Sequence, residues 1–180
     1  ARRYPTRTSG ADARRVAGCR VAGMPIALAL TVVAVAARLA MVLAFPEAAY
    51  PDSAYYVEVA RAIASGRGLH VPFVWSFAEV GGSIPAHPTL PVPSNGHWLP
   101  LASFLQVPSI LLLGPTPFAS ALPFALVGAL MAPLAWAIAR DAGASRFIGV
   151  GAGLLAAIPV TLVFQGQPDN VALYGTIGGA

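Results

Sequence analysis

The sequence predicts an all-α fold: a polytopic transmembrane helical bundle with amphipathic juxtamembrane helices in its first outer loop. Three observations carry this class. Hydrophobic residues make up 57% of the 180-residue chain and charged residues only 10%, against roughly 25% charged residues in ordinary soluble domains. The mean hydropathy is +0.70. Several apolar stretches approach or exceed the roughly 20 residues that a helix needs to cross a hydrocarbon core of about 30 Å.

The N-terminal segment, 1–23, is basic. Six of the eleven basic residues are Arg2, Arg3, Arg7, Arg14, Arg15 and Arg20, all ahead of the first apolar run. Cytoplasmic arginines are expected in that position, so the N-terminus is assigned to the cytoplasm and the protein to the cell membrane as a multi-pass chain. A net charge of +4 and a pI near 9.8 do not point to nucleic acid, because no aromatic residues interleave the arginines. The single Cys19 supports neither an internal disulfide nor a zinc site. Val16-Ala17-Gly18-Cys19 matches a lipoprotein processing box by chance, since arginines rather than an apolar signal precede it. Paired arginines before an apolar run also fit a twin-arginine signal, but the run is longer than a cleavable core of about 7 to 15 residues. A retained anchor is expected.

That anchor, 24–45, is the first transmembrane helix and carries one charge, Arg38, near its far end. A charge there is costly unless it snorkels to the interface or faces protein, and an interfacial Arg38 is the favoured expectation. The stretch 46–117 forms the outer loop. Within it, Tyr56, Val59, Ala60 and Ile63 fall on one helical face and Glu58 and Arg61 on the other, which predicts an amphipathic helix lying on the surface. Asp52 stands where its N-cap belongs and Gly66 where its C-terminal stop belongs. Val71 to Phe77, with Trp75, suits the headgroup level.

Trp98 to Leu113 is apolar but short and holds Pro100 and Pro108. If it crossed fully, the turn Arg140–Arg146 would lie outside, against the charge rule; if it only dips, that turn lies inside with the N-terminal arginines. The second arrangement is the expectation. Spans are then predicted over 118–139, despite Pro123 and Pro133, and over 147–164, where Gly149 and Gly153 are spaced for close helix packing. The Gln167–Asn170 turn emerges on the same side as Asp52. The chain starts without Met and ends in an apolar stretch, so 171–180 reads as the start of a further, truncated span and the chain as a fragment.

Two acids stand at apolar boundaries, where loss of hydration raises a carboxyl pKa and suits it to work as a base. Asp52 follows the first span and Asp169 lies at the mouth of a later one; their plainer readings are a helix cap and a turn residue. His70, His87 and His97 share the outer loop without metal-ligand spacing, so no metal site and no cofactor is expected. Tyr55 and Tyr56 line a groove or anchor an interfacial helix. Arg61 and Arg67 are placed to contact a phosphate, or Arg61 pairs with Glu58. No phosphate-binding Gly-rich loop, nucleophile elbow or zinc-protease signature occurs.

Pro51-Asp52-Ser53-Ala54-Tyr55-Tyr56, with Val59-Ala60-Arg61 and Ser65-Gly66-Arg67-Gly68-Leu69, resembles the first outer loop of the protein O-mannosyltransferase and lipid A aminoarabinose transferase superfamily. His97-Trp98-Leu99-Pro100-Leu101 is similar to that family's basic-residue-Pro-Pro-Leu element, and Leu122-Pro123 through Arg140 to its next span. The segment holding Asp169, Asn170, Leu173 and Tyr174 is similar to a second acid at the outer end of a later span. Ser53 replaces an acid common in the family, and Pro100 stands alone where two prolines are usual. The resemblance implies a glycosyltransferase that moves sugar from a polyprenyl-phosphate carrier to a glycan, lipid or protein acceptor on the outer face. Asp52 and Asp169 are then the catalytic acids, and Tyr55, Tyr56, Arg61, His97 and Trp98 the substrate-binding residues. The alternative is a non-catalytic membrane protein, either a transporter or a cell-envelope assembly subunit. Membrane lipids are partners in both cases; nucleic acid in neither.

Overall fold

The computed structural model describes residues 10–75, 83, 85–95 and 98–180, with side chains from Gly23 onward. In chain order the elements are α1 (Gly10–Ala44), α2 (Pro51–Ala64), β1 (His70–Val71), β2 (Val92–Pro93), α3 (Leu101–Leu113), α4 (Pro117–Ala129), α5 (Met131–Asp141), α6 (Arg146–Ala157), α7 (Leu162–Gln165) and α8 (Asn170–Gly179). The chain is thus mostly helical. The strands depart from the all-α expectation: they form a two-residue antiparallel ladder, His70 opposite Pro93 and Val71 opposite Val92.

Two helical segments are long and apolar enough to cross a membrane: Gly23–Ala44 within α1, and Pro117–Asp141, which is α4 and α5 together. α4 gives way to α5 at Leu130 for a chemical reason. Pro133 has no N–H for the carbonyl four residues back, that of Ala129, and its ring crowds that carbonyl, so the regular ladder stops where α4 ends. Pro123, inside α4, frees the Ala119 carbonyl in the same way. There the Ser109 hydroxyl of α3 donates the replacement bond at 2.6 Å, so the proline also fastens α3 to α4.

Side-chain contacts set the directions of these helices. Gly23 lies against Trp136 and Gly153 against Leu30 and Ala132, while Val42 packs with Ala121 and Ala125. α1 and the α4–α5 segment are therefore antiparallel, and α6 returns alongside α1. The Arg140–Arg146 turn lies at the Gly23 end, and Ala49, Tyr50 and Asp169 at the opposite end, where α2, the strands and α3 gather. With 13 residues, α3 is about 20 Å long at roughly 1.5 Å per residue and packs on α2 and α4 at that end.

α2 begins two residues earlier than its capping pattern predicts. Pro51 takes the first helical position, where its fixed φ favours a helix and its missing N–H costs nothing. The N-cap is therefore Tyr50, without a side-chain cap bond, and Asp52 belongs to the first turn. At the other end Gly66, with φ 79, stops the helix as expected: its N–H reaches the Ile63 carbonyl and that of Arg67 the Ala62 carbonyl, a glycine-dependent C-terminal closure. α2 is more deeply buried than a surface helix, since Tyr55, Tyr56 and Val59 join Val71, Ala102, Phe124, Ala172 and Leu173 in one core.

The stretch 147–164 is divided. α6 ends at Ala157 because Pro159 cannot donate to Leu155 and forces Ile158 out of helical geometry, to φ −129 and ψ 64. The chain then turns through the single helical turn α7 before α8 starts at Asn170.

Candidate functional site

The site is assembled where the exit of α1 meets the turn before α8. The Ala49 N–H donates to Gln167 Oε1 at 2.9 Å, and the Tyr50 hydroxyl donates to Asp169 Oδ2 at 2.6 Å. Asp169 is the N-cap of α8, accepting the Asn170 N–H at 2.5 Å on its other oxygen. The Asn170 amide in turn donates to the Tyr56 hydroxyl at 2.8 Å. These bonds join the 167–170 turn to the 49–56 stretch, and the first turn of α2 carries Asp52 into the same neighbourhood.

Electrostatics record that closeness. Loss of hydration raises the Asp52 carboxyl above the usual carboxylate range, and the negative charge of Asp169 raises it further. Burial and then Asp169, as hydrogen-bond acceptor, push the Tyr50 phenol well above its ordinary value. Tyr56 is pushed up to about 12, by burial first and by the Asp169 charge second. Both phenols therefore stay protonated at neutral pH. A carboxylate with raised proton affinity next to a second, well-anchored carboxylate is suited to accept a proton from a hydroxyl.

No protein-family model, curated protein or solved structure matches this chain. The arrangement is accordingly read from its own residues.

Of the residues expected to bind substrate, Tyr55 and Tyr56 are only 2% and 1% exposed. They build a wall rather than line an open groove, because their rings are held edge-on by aromatic neighbours. Ring centroids lie 5.5 Å apart for Tyr55 and Trp75, 6.0 Å for Trp75 and Trp98, and 6.5 Å for Tyr56 and Trp98. Trp98 is thus part of that wall, and the Tyr55 hydroxyl accepts the Asn95 N–H at 2.8 Å. Arg61 lies on the opposite face of α2 from Asp52. It pairs with Glu58 at 2.7 Å, donates to the Pro115 carbonyl at 3.3 Å, and lines a cavity of about 260 Å³ with Glu47, Glu58, Ser120 and Pro168. His97 lies outside the described residues. Among the described residues no group of three His, Cys, Asp or Glu side chains is placed to hold a metal ion.

Reading the sequence alone missed Tyr50, Asn170 and Gln167 as members of this network, and also Gln165, which accepts a hydrogen bond from Arg38 two residues before Gln167. A usable signal was present: Gln165 and Gln167 interrupt an apolar run, and they are 5% and 3% exposed. Buried amides need partners, which makes such interruptions candidates for a polar junction.

Proposed function

We propose that this chain belongs to an integral membrane glycosyltransferase that moves sugar from a polyprenyl-phosphate carrier to an acceptor on the outer face of the membrane. The single observation supporting it most is the placing of Asp52 within electrostatic reach of Asp169, itself held by Tyr50 and Asn170, at one end of an apolar helical bundle. The lipid setting draws support from α1: only 22% of its most apolar window is buried within the protein, and Met24, Leu28, Val32 and Leu43 face outward. The core helix of a soluble protein buries such a surface. The sequence ahead of Gly23 is rich in arginine and the Arg140–Arg146 turn lies at the Gly23 end of the bundle; the charge rule assigns that end to the cytoplasm. The two acids then face the outer side.

In this reading Asp52 takes the proton of an acceptor hydroxyl as that oxygen bonds to the anomeric carbon. The anomeric carbon–oxygen bond to phosphate breaks, and polyprenyl phosphate leaves with the electron pair. The nearby Asp169 carboxylate raises the proton affinity of Asp52 and so favours proton capture there. The aromatic wall supports the turn of α2 that presents Asp52.

The experiment is transfer from labelled polyprenyl-phosphate sugars by the full-length protein in membranes. Asp52→Asn should lower the rate roughly 10²–10⁴-fold, the usual contribution of a positioned base, with an unchanged yield of folded protein. Retained transfer would remove Asp52 from this role. A transporter is the second reading, favoured by the helix break at Pro159 beside the buried Arg38. Solute uptake by vesicles holding the protein, without sugar transfer, would decide for it.

A further inference from the structure

Arg38 sits in the apolar body of α1, yet it is not interfacial: its exposure is 0%. Among the described residues it pairs with no carboxylate. A buried cation is tolerated only where its donors meet acceptors, and these come from a broken helix. Pro159 ends α6, which leaves the Ala156 and Ala157 carbonyls without helical partners. Arg38 Nη1 donates to the Ala157 carbonyl at 2.9 Å, and Nη2 to the Ala156 carbonyl at 3.2 Å. The guanidinium thereby also faces the negative end of the α6 dipole. Nη2 donates again, to Gln165 Oε1 at 2.5 Å. One planar group therefore clamps both ends of the turn between α6 and the 165–169 stretch.

The same stretch continues directly into the site. Two residues after Gln165, Gln167 holds the Ala49 N–H, and two residues further Asp169 holds the Tyr50 hydroxyl. The Arg38 stem is threaded past α4 and α8. A Cβ at Gly128 would stand 3.1 Å from Arg38 Nε and 3.4 Å from Ala172 Cβ, so the glycine leaves the space the arginine occupies. α8 is the helix that Asp169 caps.

We propose that Arg38 is a positioning residue: by fastening the 158–169 turn through Gln165 and the end of α6, it sets Asp169 against Asp52. Its bearing on sugar transfer rests on the function proposed above, whereas the fastening does not. Lysine is a poor substitute, because one ammonium lacks the planar fork that spans two carbonyls and an amide.

The test uses the full-length protein in nanodiscs and three forms: the parent, Arg38→Lys and Gln165→Leu. The last leaves Arg38 on the Ala156 and Ala157 carbonyls, so α6 stays capped. Amide hydrogen exchange over 158–169 should rise roughly 10- to 100-fold in Gln165→Leu, the loss of one charge-assisted hydrogen bond, while amides of 24–35 and 117–126 keep the parental rate. Arg38→Lys should do the same. Titration of Asp52, followed by carbon NMR of labelled aspartate, should move to lower pH in both variants as the Asp169 charge withdraws. Transfer should lose kcat with little change in KM for the lipid donor. Parental exchange over 158–169, an unmoved Asp52 titration, or a uniform rise across all helices would each refute the positioning role. If exchange and titration move as expected but the parent transfers no sugar, the glycosyltransferase reading falls and the fastening of Asp169 by Arg38 stands.

Discussion

Removing the Tyr50 hydroxyl tests whether the 167–170 turn is anchored to the exit of α1. Tyr50→Phe deletes one bond, the 2.6 Å contact to Asp169 Oδ2, and keeps the ring that packs on Phe164 at a centroid distance of 6.2 Å. Hydrogen bonds to charged groups contribute about 1.5–3 kcal/mol. Tyr50 and Asp169 are both half-buried, so water competes for each and the lower end, about 1.5 kcal/mol, is expected. That is roughly a tenfold change in a folding equilibrium. Asp169→Ala removes the acceptor but also the cap of α8, which alone costs about 0.5–2 kcal/mol. A double-mutant cycle cancels the cap, since it is missing from both the Asp169→Ala single variant and the double variant. The assay is reversible unfolding in mixed micelles of the parent, each single variant and the pair. A coupling energy near about 1.5 kcal/mol is expected; one below about 0.5 kcal/mol, the scatter between unrelated sites, would refute the anchoring.

Two further outcomes follow from specific contacts. Asp52 holds its proton more tightly in the folded protein than in the unfolded chain, so its contribution is unfavourable to folding, absent at low pH, and grows as pH rises above the usual carboxylate range near about 4. Asp52→Asn should therefore melt higher than the parent at neutral pH and lose that advantage at about pH 4; a pH-independent difference in Tm would contradict the shift. In α6, a Cβ at Gly153 would meet Leu30 Cδ1 at 2.5 Å and the Ala132 carbonyl at 3.1 Å, while one at Gly151 would meet nothing within 4 Å. Gly153→Ala should cost about 1–3 kcal/mol by overpacking, whereas Gly151→Ala should be neutral or gain up to about 1 kcal/mol from helix propensity; equal effects in micelle unfolding would show that α6 does not pack as described.

The helical class was legible because hydropathy is a local quantity. The apolar runs over 24–45 and 118–139 coincide with the two helices long enough to span, and Gly66 stopped α2 where a residue tolerant of positive φ was needed. The position of Asp52 was legible only to within two residues. Pro51 competes for the helix start, and the choice between a cap and a first-turn residue depends on both. The division of 147–164 was written in Pro159, but prolines at 123 and 133 fall within the 117–141 segment, so proline alone does not distinguish a kink from a stop. In both cases the carbonyls left without helical partners are met from elsewhere in the chain, by Ser109 for Ala119 and by Arg38 for Ala156 and Ala157, and those partners are set by tertiary contact.

By itself the sequence determined a mostly helical chain with two runs apolar enough to cross a membrane, and arginines ahead of the first. These follow from composition and from the cost of placing backbone and charge in hydrocarbon, which each segment meets on its own. Only the tertiary structure decided that Arg38 is buried on a helix end rather than interfacial, that Tyr55 and Tyr56 form a wall, that Arg61 faces away from Asp52, and that Asp169 is tied to Tyr50. Each of these depends on a partner far away in the chain. A hydrogen bond or a ring contact is satisfied by proximity in space, and no local pattern of residue types contains that distance.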